Sequence, residues 1–238
     1  IEMEAPVLGD EVAVTLTSRD LAGNIADLSW TIEAPFPTLT VSGRVCKTAT
    51  SESRATEDGF VSDELLAFYE PIARAGTPLI ITGNLYVSQE GKSTYRMCGA
   101  DAPDKVPGLK RWADLAHEHG SRLFGQINHC GRQVFARAMG LKSAISASDV
   151  TEKVMGTKPR PMTIPEIKEA VGQFADSAQY CQEAGFDGVQ IHAGHGYLIN
   201  QFLSPYTNRR RDEYGGDPDR RLRFLLEAYR AVRERVGP

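Results

Sequence analysis

The sequence predicts an α/β fold with a parallel sheet, the first four βα units of a (β/α)8-type barrel, preceded by a short β-rich segment. Three observations carry that expectation. Short apolar runs alternate four times with amphipathic helical stretches from Gly43 onward, and such alternation gives parallel strands joined by right-handed crossovers. No GxGxxG follows any strand-like run, which argues against a dinucleotide-binding sheet. The polar residues able to do chemistry gather just past the third and fourth runs, where a barrel keeps its site.

The opening stretch reads differently from the rest. Residues 12–32 alternate apolar and polar positions around Asp20–Asn24, a pattern for two strands joined by a turn. The stretch loosely resembles the last hairpin of bacterial immunoglobulin-like domains, and a hairpin lid on the main domain fits the pattern equally well. The expected division is a β-rich segment of uncertain role over residues 1–34 and half a barrel over residues 35–238.

Residues 45–50 form a plausible first strand. Ser62 is a good N-cap, with Asp63 and Glu64 complementing the dipole of a helix that runs to Ala75 and stops at Gly76. Pro71 is expected to kink it. Residues 78–82 (PLIIT) read as a buried second strand, and Leu109 to His119 as an amphipathic helix closed by Gly120. The third strand spans Arg122 to Ile127. Residues 129–162 then make a polar excursion longer than ordinary βα loops, of the kind that serves as a lid or binding element. Thr163 and Glu166 form a capping box for a helix reaching about Glu183. Gly188 to Ile191 is an apolar run bounded by glycine, read as a buried parallel strand. A last helix begins at Asp217–Asp219 and runs through Arg235.

Composition narrows the function classes. A net charge of −4 and a pI near 5.8 offer no electrostatic reason to expect a nucleic-acid partner. No apolar run approaches the roughly 20 residues needed to span a bilayer, so no membrane partner is expected. The first residues lack the basic and apolar regions of a signal peptide. Cys46, Cys98, Cys130 and Cys181 are scattered, which fits reduced thiols in a cytoplasmic protein better than a disulfide framework.

Past the fourth strand the sequence becomes specific. His192-Ala193-Gly194-His195-Gly196-Tyr197-Leu198, Phe202-Leu203-Ser204-Pro205, Asn208-Arg209 and Asp212-Glu213-Tyr214-Gly215-Gly216 stand at fixed offsets. With Phe124–Ile127, His129–Arg132 and Ile81–Asn84, this pattern resembles the signature of the old yellow enzyme family of flavin-dependent ene-reductases on a TIM barrel. The resemblance implies FMN as cofactor and NADPH or NADH as reductant. It implies a small-molecule substrate with an activated C=C bond, of enone, enal or nitroalkene type. His192 and His195 would hold the substrate's oxygen and Tyr197 would be the general acid. Gln126, Asn84 and the segment Thr48, Ala49 and Thr50 would line the flavin. Ala49 stands where the family commonly has Pro, and Ser51 where it often has a redox-tuning Thr or Cys. Asn208, Arg209, Asp212 and Tyr214 read as a turn bracing the loop.

The residues leave rivals open. A histidine pair at this spacing could bind a metal in a barrel hydrolase. Four units are half a barrel, so a second chain, a homo-oligomer or a non-catalytic fragment binding flavin weakly are further readings. The family's fifth-strand arginine and the phosphate site of its last strands are not in the sequence.

Overall fold

The computed structural model describes residues 41–237, and the backbone of residues 11–19 and 25–33 before them. The chain divides into two compact units, residues 1–40 with Pro238 and residues 41–237. In the first, β1 (Glu11–Arg19) and β2 (Ile25–Glu33) pair antiparallel from Glu11 opposite Glu33 to Arg19 opposite Ile25. The alternating sequence anticipates that hairpin. Its connection, residues 20–24, lies outside the described residues.

The second unit runs β3 (Cys46–Lys47), α1 (Asp63–Arg74), β4 (Leu79–Tyr86), α2 (Val106–Glu118) and β5 (Arg122–Asn128). It continues through β6 (Ile145–Ser146), β7 (Arg160–Pro161), α3 (Ile164–Glu183), β8 (Gly188–Ile191), α4 (Leu198–Leu203) and α5 (Pro218–Val236). The main sheet has the order β3-β4-β5-β8 with every pair parallel. Neighbours in space are neighbours in the run of strands, with a helix in each crossover, which is an arc of a barrel.

The helix ends follow local chemistry. Ser62 Oγ accepts the Leu65 N–H at 3.1 Å, and Asp217 Oδ1 accepts the Arg220 N–H at 2.9 Å. Thr163 and Glu166 make the reciprocal capping box at the start of α3. Gly76 and Gly120, just past α1 and α2, take φ of +77° and +75°, where a side chain would be strained. Pro71 lies within α1, which stays one continuous helix.

One face of the sheet packs on the helices. Ile80, Leu85, Leu123 and Ile127 join Trp112 of α2 and Phe174 of α3 in one buried cluster. A Cβ on Gly125 would lie 3.0 Å from Cys181 Sγ of α3, so the strand approaches the helix closely because position 125 has no side chain. The alternate residues of β5, Phe124 and Gln126, point to the other face.

Three strands differ from expectation, the second running Leu79–Tyr86 instead of residues 78–82. The first is only Cys46–Lys47 instead of residues 45–50. After Lys47 the chain leaves the ladder, and the Glu52 carboxylate takes the Gly83 N–H at 2.7 Å. Thr50 O and Glu52 fill the space a Cβ on Gly83 would need, at 2.6 Å and 2.0 Å. The fourth strand has the expected bounds but is half-buried, with Gln190 exposed. It pairs on one edge only among the described residues.

Candidate active site

The register places three carboxamides side by side at the carboxyl ends of the strands. Asn84 of β4 is opposite Gln126 of β5, and Gln126 is opposite Gln190 of β8. Register partners in a parallel pair share a face, so the three form a row on the face away from the helices. Gln126 Nε2–H donates to Gln190 Oε1 at 2.7 Å. The β4–β5 register shifts between Ile81 and Asn84, and the Thr82 hydroxyl takes the Gln126 N–H at 3.1 Å across that irregularity.

The loop after β8 starts where His192 N–H bonds Ile127 O at 3.0 Å, which extends the ladder by one bond. His192 is buried, and its Nδ1 accepts the Gly194 N–H at 3.2 Å. Burial and then the neighbouring His195 hold its pKa down at about 4, so the ring is neutral at pH 7. With Nδ1 accepting, the proton sits on Nε2, which faces His195 Nδ1 at 3.2 Å. His195 itself is exposed and holds φ +55°, a region rare outside glycine. The Tyr197 ring stands edge-on to His192, with centroids 4.9 Å apart. Burial raises the Tyr197 hydroxyl pKa, partly countered by a hydrogen bond with the Asn84 side chain. Tyr197 therefore stays protonated well above neutrality.

The structure thus brings His192, His195, Tyr197, Asn84 and Gln126 to one end of the sheet. Thr48, Ala49 and Thr50 lie past β3 in irregular chain, where Thr48 O accepts from Lys47 Nζ at 3.0 Å. Asn208, Asp212 and Tyr214 do brace the following turn. Asn208 Nδ2 donates to Phe202 O and Tyr214 O, both at 2.7 Å. The bracing arginine is Arg210, which Asp212 holds at 3.0 and 2.5 Å and which donates to Ala147 O and Met162 O. Arg209 is exposed and contributes its N–H to Ser148 Oγ at 2.9 Å.

His129 and Arg132 are internal scaffolding. His129 is buried with Nδ1 accepting the Gly131 N–H at 3.0 Å, and burial lowers its pKa to about 4. Arg132 Nη1 caps Val150 O at 2.8 Å. Burial pushes the Cys98 and Cys130 thiols up to about 12, which makes neither a nucleophile at neutral pH. Among the described residues no three His, Cys, Asp or Glu side chains gather as metal ligands. No helix among them is long and apolar enough to cross a membrane.

Gln190 stands in the carboxamide row and is not among the residues the sequence pattern singles out. Its signal was there, a lone polar residue between Val189 and Ile191 whose two-residue period puts it on the face of His192.

A sequential parallel sheet, helices on one face and polar groups past the carboxyl ends define a partial TIM barrel. The chain belongs to the NADH:flavin oxidoreductase / NADH oxidase family, whose sequence profile matches residues 35–238. It is 38% identical over 206 residues to an NADH oxidase of Thermoanaerobacter brockii, covering 86% of this chain and 32% of that protein. It is 34% identical over 200 residues to a multifunctional alkene reductase/demethylase of Caballeronia cordobensis, covering 84% and 29%. The solved structure of an old yellow enzyme homologue from Zymomonas mobilis superposes with a TM-score of 0.77 at 30% identity, covering 86% of this chain and 59% of that one. The chain spans between 27% and 52% of the curated relatives it matches.

FMN is the cofactor that this family implies, with NAD(P)H as reductant. The donor set fits the edge of a flat heterocycle carrying both acceptors and an N–H. Side-chain amides offer both hydrogen-bond senses, and Asn84, Gln126 and Gln190 stand in line. Gln126 is the central one.

Proposed function

We propose that this chain forms the substrate-binding part of an FMN-dependent oxidoreductase that reduces an activated C=C bond, of enone, enal or nitroalkene type, at the expense of NAD(P)H. One observation carries the reading. The carboxamide row ends at Gln190 on β8, two residues before His192, and the His195 and Tyr197 rings both stand edge-on to the His192 ring. When bound, FMN supplies a hydride to the β-carbon of the alkene, drawing on NAD(P)H.

The residues divide the remaining work. His192 offers Nε2–H as a donor whose tautomer the Gly194 amide holds. A substrate oxygen entering beside Nε2 draws a second bond from His195 once its proton moves to Nδ1. Two donors aimed at an oxygen that gains negative charge stabilise it in the manner of an oxyanion hole. A neutral His192 is suited to this, since it donates without itself giving up a proton. Tyr197 then protonates the α-carbon, and its raised pKa keeps the proton available at neutral pH. Gln126 and Gln190 would hold the flavin ring through their side-chain amides, and Asn84, Thr48, Ala49 and Thr50 would line it.

The visible spectrum of the purified chain tests this. The expected result is flavin absorbance that NADPH bleaches and an enone restores. A chain that stays colourless with added FMN overturns it and leaves a non-catalytic half barrel. Given bound flavin, Tyr197→Phe is expected to slow alkene reduction while sparing flavin reduction by NADPH.

A further inference from the structure

Three side-chain amides close around the peptide that follows His195. Gln133 Nε2–H donates to His195 O at 2.7 Å, and Gln201 Nε2–H donates to Gly196 O at 2.7 Å. Asn200 Oδ1 accepts the Gly196 N–H at 2.9 Å. The clasp coincides with an unusual backbone, since His195 and Gly196 are successive left-handed residues with φ of +55° and +75°. For a residue with a Cβ that conformation is strained, so surrounding contacts must hold it.

Gln201 is the fixed floor of the clasp. It is fully buried, and its Oε1 accepts Arg132 N–H at 3.2 Å and Ser146 Oγ–H at 2.9 Å. Its Nε2 also donates to Cys130 O at 3.1 Å. Gln133 differs. It is half-buried, and the His195 carbonyl is the only hydrogen-bond partner shown for its amide among the described residues. Backbone space is shaped around it, because a Cβ on Gly196 would lie 2.4 Å from Gln133 Nε2.

We propose that Gln133 is a positioning residue for His195. By holding the His195 carbonyl it keeps this residue left-handed and its ring turned with Nδ1 toward His192. Because the Gly194 amide already places the His192 proton on Nε2, the proton donated to His195 Nδ1 assigns the resting His195 proton to Nε2. The clasp thus sets the tautomer of His195 before any ligand arrives, while the Gly194 amide sets that of His192. Gln133 comes from the 129–162 excursion, so this long segment acts on the site through the backbone of the catalytic loop. The inference rests on the reading of His192 and His195 as the pair that holds substrate oxygen.

The test is imidazole ¹⁵N NMR on the whole chain, which carries 5 histidines. In the wild type, His195 is expected as a single Nε2–H tautomer with a hydrogen-bonded Nδ1 lone pair. In Gln133→Glu, which keeps the size but loses the donor, His195 is expected to become a fast-exchanging mixture. His192 keeps its Nε2–H form there, because the Gly194 amide still holds it. Gln133→Ala gives the same outcome without an added charge. A His195 signal unchanged in both variants overturns the inference. The enone KM of Gln133→Ala separates this from the functional reading, with a rise of about tenfold expected for a misplaced hydrogen-bond donor. If the His195 signal changes while KM does not, the clasp stands and the oxygen-holding role of the pair falls.

Discussion

On the helix side of the sheet, Ile80, Leu85, Leu123 and Ile127 are each 1% exposed or less, while Asn84, Gln126 and Gln190 on the other side keep contact with solvent. The two sets alternate along the same strands. The helix side is closed by Trp112, Phe174 and the residues packed with them, and each fully buried aliphatic side chain there contributes roughly 1.5–3 kcal/mol. The other side is lined with groups that water or a polar ligand must satisfy. The difference separates what holds the unit together from what it offers to a ligand, although both faces come from one run of residues.

The largest effect expected of this division is on the closed side. Leu123→Ala should destabilise the unit by about 2–5 kcal/mol in denaturant unfolding, whereas Gln126→Ala should stay within about 0.5 kcal/mol. Equal costs would break the comparison.

Next comes pH. His129 and His192 both have folded pKa values lowered to about 4 by burial. The unfolded chain therefore binds more protons between about 6.5 and 4, and stability falls as pH drops through that window. Each ring contributes a slope of at most about 1.4 kcal/mol per pH unit. Replacing His129 with Gln should flatten this slope in acid unfolding curves, and an unchanged slope would show that His129 takes up its proton in the folded state.

A smaller effect sharpens the open side. Gln126→Ala should weaken FMN binding about tenfold, the value of one hydrogen bond to a ligand, as read by fluorescence titration. Smallest of all is the exposed pair of Lys110 and Asp114, 2.6 Å apart on α2. Its removal should change stability by no more than about 0.5 kcal/mol.

Much of this arrangement was legible in the sequence. Ser62, Thr163 and Asp217 announce helix starts because a cap is chemistry between residues three apart. The strand Gly188–Ile191 and the residues His192, His195 and Tyr197 could be picked out because their spacing is local. The hairpin before residue 34 follows from alternation alone. The first strand was read too long, since the capture of Gly83 by Glu52 joins residues 31 apart. Arg209 was read as bracing where Arg210 does so, because both are arginines and only their surroundings distinguish them.

What the sequence determined by itself, then, is the order of elements, their caps and the residue types at the strand ends, all consequences of short-range periodicity and hydrogen bonding. Only the tertiary structure decided that Asn84, Gln126 and Gln190 form one row, and that Gln133 closes on the His195 carbonyl and Gln201 on the Gly196 carbonyl. Those relations depend on the register between strands and on a loop folding back across more than 60 residues to His195. No local pattern encodes them, because the packing of the helix face sets the register and the register sets which side chains meet.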